Sequence, residues 1–323
     1  MLIKFPTKEE EDQANRFRTY LNYLLAISDF FGDVKNNPRE LVGAAIETKT
    51  FHDIQGGRCT DVDNIGRFLR NAWFTEIQMD IAGQHDEFVS YSNHWIPVQV
   101  YYAVYLALRA YYIAKGHDVP REHASNLKAI AEEIKTRPDL FPQPWKAVCI
   151  GNPENGRAKM VNLPHGMVIG KISSLSLSSK VPFWDSYGMF LQTTRRRQLE
   201  TLCDNWKINN KRRRVNPEAK QRFIANLSPT SLFNALYRLR LRSNYADADS
   251  FLLAVQGSTE AVQFHHALQK ISWCTLLVLE LLIARHIGKR TFEQIVEKFR
   301  KYDGLGRSEE LICSRWRSLC KLW

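Results

Sequence analysis

The sequence predicts a mostly α-helical protein, a helical bundle with one inserted, partly extended basic segment. Three observations predict it. Apolar residues recur at three- and four-residue steps over most of the chain. Five of the twelve prolines fall between 136 and 164, where helical periodicity is suspended. Eight basic residues against two acidic ones crowd the stretch 195–214. With 323 residues at 44% hydrophobic and 24% charged, the chain is long enough to bury a core, and collagen-like, wholly disordered and disulfide-stapled classes are excluded. The expected organisation is an N-terminal helical region (1–88), a bundle (89–290) with 141–217 inserted, and a helical tail (291–323).

The elements follow in order. Phe17, Tyr20, Leu21, Leu24 and Leu25 mark an amphipathic helix from Asn15 to Phe31, and a second covers Ile65 to Ile81. Pro97 suits the first turn of a third helix, where its missing N–H has no partner to lose. The run YYAVYLALRAYYIAKG (101–116) is apolar on nearly every side apart from Arg109, so it reads as a central helix ended by Lys115 and Gly116. Ala124, Leu127, Ile130, Ala131 and Ile134 mark another, stopped before Pro138. The runs 145–150 and 167–172 are β-like, and Trp184, Tyr187 and Phe190 read as a hydrophobic anchor for the insertion. Helix resumes with Ser228 as N-cap and Pro229 behind it, carrying Leu232, Leu236 and Leu239 on one face. A long helix from about Thr259 to Ile287 stops at Gly288, and a helical tail after Thr291 is broken at Gly304 and Gly306.

Several chemistries lose support. No HExxH, GxSxG or P-loop pattern occurs. Asp61 and Asp63 read as a polar loop with a helix cap at Asp63. His117 and His123 have no third ligand beside them, so neither metal nor cofactor is expected. His265 and His266 are adjacent, so on a helix one packs and the other meets solvent. Six cysteines without a CxxC pair read as reduced thiols. The amino terminus lacks the basic and apolar regions of a secretory signal, and the apolar run Ile271–Ala284 is interrupted by Glu280 and short of the roughly 20 residues that span a bilayer. A cytoplasmic protein with no membrane partner is expected.

Charge points to the partner. Forty-five Lys and Arg against 34 Asp and Glu leave +11, which suits a polyanion. On a helix Arg238, Arg242 and Tyr245 would share one face, and Arg240 and Asn244 another. Such a row can grip phosphate and stack a base, or Asp247 and Asp249 can neutralise it. Arg195, Arg196, Arg197, Lys211, Arg212, Arg213 and Arg214 either contact a phosphate backbone, with Trp206 beside them to stack a base, or form a solvated loop.

Two of these segments resemble the HEPN superfamily, helical-bundle proteins of prokaryotic defence and toxin–antitoxin systems. The run 101–116 with His123 after it is similar to the family's early tyrosine-rich helix, and NALYRLRLRSNYADADSF (234–251) to its later Arg-bearing segment. The resemblance covers roughly half of the chain. It implies binding of RNA or single-stranded nucleic acid, a protein partner in a defence complex, a homodimer, and metal-independent ribonuclease chemistry. Active members place Arg and His four to six residues apart, the imidazole moving a proton while guanidinium holds phosphate. This sequence departs from that pattern: Arg109 and His117 have seven residues between them, and Asn244 follows Arg238 where a His would stand. The candidate catalytic residues are then Arg109 or Arg238 for phosphate, His117 or His123 for the proton, and Asn244 as an orienting amide. The missing spacing favours the alternative, a non-enzymatic interaction subunit or regulator in a larger ribonucleoprotein or defence complex.

Overall fold

The computed structural model describes residues 7–57, 61–117, 122–154, 158–167, 169, 182–246, 250–251, 259–304 and 306–322. The chain is mostly α-helical. Helix α1 (Lys8–Phe30) opens on a capping box between Thr7 and Glu10, and Glu9–Glu11 sit against the positive end of its dipole. It starts seven residues before Asn15 because these polar capping turns carry no apolar period. Next come α2 (Pro38–Ile46), α3 (Lys49–His52), α4 (Val62–Gly83) and α5 (Asp86–Ser92), then α6 (Ile96–Ala114) and α7 (His123–Thr136). The cap of α4 is Asp61, so Asp63 lies inside its first turn.

Helix α6 is the central helix expected. It packs along α4 on one side and along α11 (Thr259–Ile287) on another, with α10 (Leu232–Leu241) across it. By length and composition alone α11 could cross a membrane, but 89% of its most apolar stretch is buried against protein. Gly288, at φ +88°, makes the left-handed turn that ends it, a conformation a side chain would strain. The tail then forms α12 (Lys289–Arg300), a π turn (Glu309–Cys313) and α13 (Ser314–Cys320).

The segment 141–217 differs in detail from its sequence reading. Among the described residues its extended pairing comprises a hairpin of β1 (Val148–Ile150) and β2 (Lys159–Val161), antiparallel with Cys149 opposite Met160, and a bridge from Cys149 to Thr230; most of the β-like run 167–172 lies outside the described residues. The basic residues from Arg195 to Lys207 lie on a 27-residue helix, α8 (Phe183–Asn209), followed by α9 (Pro217–Asn226). The reason is visible in the packing: Tyr187, Phe190, Leu191, Thr194 and Leu199 are buried at helical spacing, with no proline to interrupt them. Ser228 and Pro229 do not start α10. Thr230 pairs its backbone with Cys149 at 2.8 and 2.9 Å, so the helix begins only at Leu232, behind a Ser231–Asn234 capping box. Trp145, Val148, Tyr187 and Phe190 join the same hydrophobic core as Phe17, Tyr101, Leu276 and Trp316. The 141–217 segment and the two flanking regions therefore share one core.

The charged groups at the centre of that core are paired. Arg315 of α13 is fully buried, bridges Glu76 of α4 and Glu280 of α11, and packs over Trp273, while the Trp73 indole N–H donates to Glu280. His265 is buried with Nε2 3.0 Å from the Met79 carbonyl, and His266 is exposed. Cys149, Cys203, Cys274, Cys313 and Cys320 are free thiols, and Cys59 lies outside the described residues.

Candidate nucleic-acid interface

One group of predicted residues does converge. Tyr101, Tyr105 and Arg109 recur every four residues along one flank of α6, with Tyr102 beside them. His123 opens α7, which folds back over that flank, and Tyr237 and Arg240 reach it from α10. The imidazole lies 4.2 Å from the Tyr105 ring and stacks at 6.0 Å on Tyr237. Its Nδ1 is 2.8 Å from the Tyr101 hydroxyl. Arg240 donates to the Tyr102 hydroxyl at 3.0 Å, and its guanidinium lies 5.0–5.6 Å from the ring centres of Tyr101, Tyr102 and Tyr237. Arg109 sits 4.4 Å over Phe68 and 6.0 Å from Tyr105.

The electrostatics follow from that enclosure. Burial, then the nearby charges of Arg240 and Arg109, hold His123 below the ordinary histidine range, so it is a neutral base at pH 7. Burial pushes the Tyr101 hydroxyl upward, so it stays protonated. Neither Arg109 nor Arg240 pairs with a carboxylate among the described residues, and each keeps a buried Nε–H without a partner. The result is a half-buried, doubly cationic face with a neutral imidazole in its middle.

The other candidates lie elsewhere. Arg238 is two residues from Arg240, about 200° around the helix, and points to the far flank. There it donates to Thr193 at 2.8 Å and Thr194 at 3.3 Å, over the Tyr20 ring. Arg195 corrects its expectation outright. Only 2% exposed, it donates to the carbonyls of Gly151 (2.7 Å), Ser228 (2.6 Å) and Leu227 (3.2 Å), holding the hairpin and the approach to α10 against α8. Arg197 pairs with Glu200 and Lys207 with Asp204 along α8, while Arg196 is exposed. Lys211, Arg212, Arg213 and Arg214 are exposed in the turn after α8, roughly 25 Å along the helix axis from Thr194. The arginines therefore do not share one surface.

His117 is exposed beyond the end of α6, on the side of His286, whose pKa it helps to lower; it is not part of the cluster. Arg242 and Asn244 are half-buried in a π turn (Arg242–Ala246), which breaks the 3.6-residue period on which a common face for Arg238, Arg242 and Tyr245 depended. The Tyr245 side chain, Asp247 and Asp249 lie outside the described residues. Tyr237 and Phe68 escaped the sequence reading. The only local signal for Tyr237 was its i, i+3 step to Arg240. No group of three His, Cys, Asp or Glu side chains suited to a metal occurs among the described residues.

Fold and face together define an all-α bundle with an arginine–tyrosine cage around one imidazole. No family model, curated protein or solved structure matches the chain.

Proposed function

We propose that this chain is an HEPN-like protein of a prokaryotic defence or toxin-type system that binds RNA or single-stranded nucleic acid at the Arg109–His123–Arg240 face. The observation that carries the binding reading is two guanidiniums near a neutral imidazole, neither paired with a carboxylate among the described residues, set among the rings of Phe68, Tyr101, Tyr102, Tyr105 and Tyr237. Guanidinium supplies the planar donor fork that phosphate oxygens take up, and the tyrosines offer ring faces to bases. The defence context rests on the resemblance of segments 101–116 and 234–251 alone.

The same geometry bears on metal-independent ribonuclease chemistry. His123, unprotonated at neutral pH, can take the proton of a ribose 2′-hydroxyl while Arg109 and Arg240 stabilise charge on the phosphate. In-line attack also needs an acid on the opposite side for the leaving oxygen, and Tyr101, held protonated behind the imidazole, does not occupy that side. A second copy in a homodimer would supply one. Binding therefore rests on more of the cluster than turnover does.

The test is fluorescence anisotropy of a labelled oligouridylate with the full chain, followed by incubation in EDTA and resolution of products. We expect binding that weakens steeply with salt, a loss of about tenfold in Arg240→Ala, and retained binding with loss of any cleavage in His123→Asn. Absence of binding by the native protein at low salt overturns the proposal. Binding without products over hours selects the non-enzymatic subunit.

A further inference from the structure

We infer that the groove between α4 and α12 is a second stretch of the same interface, a track for the phosphate backbone of the strand engaged at Arg109; this rests on the reading above. The groove encloses about 440 Å³ and is lined by Asn64, Arg67, Arg70, Gln294 and Lys298, with Ile295 and Phe299 toward its base. Its polar wall carries two guanidiniums, one ammonium, two amides and the Thr291 hydroxyl against a single carboxylate, Asp63, which is fully exposed at the rim. No carboxylate among the described residues pairs with Arg67 or Arg70. Lys298 lies 3.8 Å from Asp63, but both are exposed, so the contact leaves the ammonium available.

Continuity joins this groove to the first face. Arg67 and Arg109 address the same Phe68 ring, their guanidinium carbons 5.3 and 4.4 Å from its centre. Phe68 therefore leads from Arg67 to Arg109, and the stacked rings of Tyr105 and Tyr101 lead on to Arg240, while Lys298 and Arg70 line the groove beside Arg67. At its outer end Tyr302 is 57% exposed, with the Arg70 guanidinium 5.4 Å from its ring centre. That contact steadies the ring and leaves an exposed aromatic surface for an unpaired base, which favours a single strand over a duplex.

The experiment uses the full chain and a labelled 20-nucleotide oligouridylate over a series of salt concentrations. Because each phosphate contact with a single strand contributes about 0.7 to the logarithmic salt slope, the triple variant Arg67→Gln, Arg70→Gln, Lys298→Gln is expected to flatten that slope by about two and to weaken binding at least tenfold at low salt. The single charge reversal Arg67→Glu, at an exposed helix position, is expected to weaken binding as well, and it serves alone should the triple variant fail to fold by circular dichroism. An unchanged slope and affinity in these variants, with Arg240→Ala still impaired, overturns the groove and spares the Arg109–His123–Arg240 face. Failure of the native protein to bind the oligonucleotide overturns both.

Discussion

Replacing Arg315 with methionine tests how the tail is held to the bundle. The guanidinium makes four hydrogen bonds of 2.6–2.9 Å, two to each of Glu76 and Glu280, and none of the three side chains is more than 3% exposed. Methionine fills much of the same space without a donor, so two buried carboxylates are left facing each other. Glu76 already lies above the ordinary carboxylate range through burial, even with the arginine present. Protonating one such carboxyl at pH 7 costs about 3–4 kcal/mol at 1.36 kcal/mol per pH unit, and breaking a buried pair destabilises proteins by about 3–5 kcal/mol. We expect a loss of about 4 kcal/mol at pH 7, a large part of the ~5–15 kcal/mol that holds a typical domain folded. The sign with pH is fixed: carboxyls raised in the folded variant cost more as pH rises, so at pH 5 the deficit shrinks to about 1–2 kcal/mol. Urea unfolding followed by circular dichroism at both pH values measures it. A deficit below about 1 kcal/mol at pH 7, or one equal at both pH values, refutes the reasoning, because either means that the carboxylates keep another partner or water.

Three further outcomes follow from the same structure. His286 is pushed down to about 4 by burial, then by Lys115, Arg137, His117 and Arg285; with its folded pKa below the unfolded value, its contribution is complete above about pH 6.5 and is lost toward pH 4. Thermal melts should fall across that window, by at most about 3 kcal/mol from this group, and His286→Gln should flatten the profile. Arg195→Met orphans the carbonyls of Gly151, Leu227 and Ser228 and should cost about 2–4 kcal/mol in urea unfolding; Arg195→Lys should restore only part, since one ammonium cannot span the three acceptors. Arg240→Lys keeps the charge but gives up the planar stacking on Tyr101, Tyr102 and Tyr237, and oligonucleotide affinity should fall by about 0.5–1 kcal/mol, less than in Arg240→Ala; an unchanged affinity would show that charge alone matters there.

What the sequence disclosed depended on the range of the interaction. Helices α6 and α11 were legible because their apolar residues repeat within a single turn, and the end at Gly288 because a left-handed turn favours one residue type. Helix α8 was obscured, although its buried residues 187, 190, 191, 194 and 199 keep the same period, because its charges outweigh them in composition. The pairing of Arg315 with Glu76 spans 239 positions and that of Arg240 with Tyr102 spans 138, and no local pattern encodes either. Arg109, His123 and Arg240 could each be singled out, but their meeting required α7 to fold back on α6 and α10 to cross both. Sequence proximity misled in the opposite sense for Arg238 and Arg240. A helix turns about 100° per residue, so neighbours two apart diverge, one toward threonine hydroxyls on α8 and the other toward tyrosines on α6. Counting cations along the chain therefore measures the total field a polyanion would feel, whereas the place where phosphate can be gripped is set by where the packing gathers cations that no internal carboxylate neutralises. Arg195 is taken up by three carbonyls and Arg238 stands apart on the flank facing α8, whereas Arg109, Arg240 and Arg67 gather around neighbouring rings with Arg70 beside Arg67 in the groove, four cations drawn from three helices.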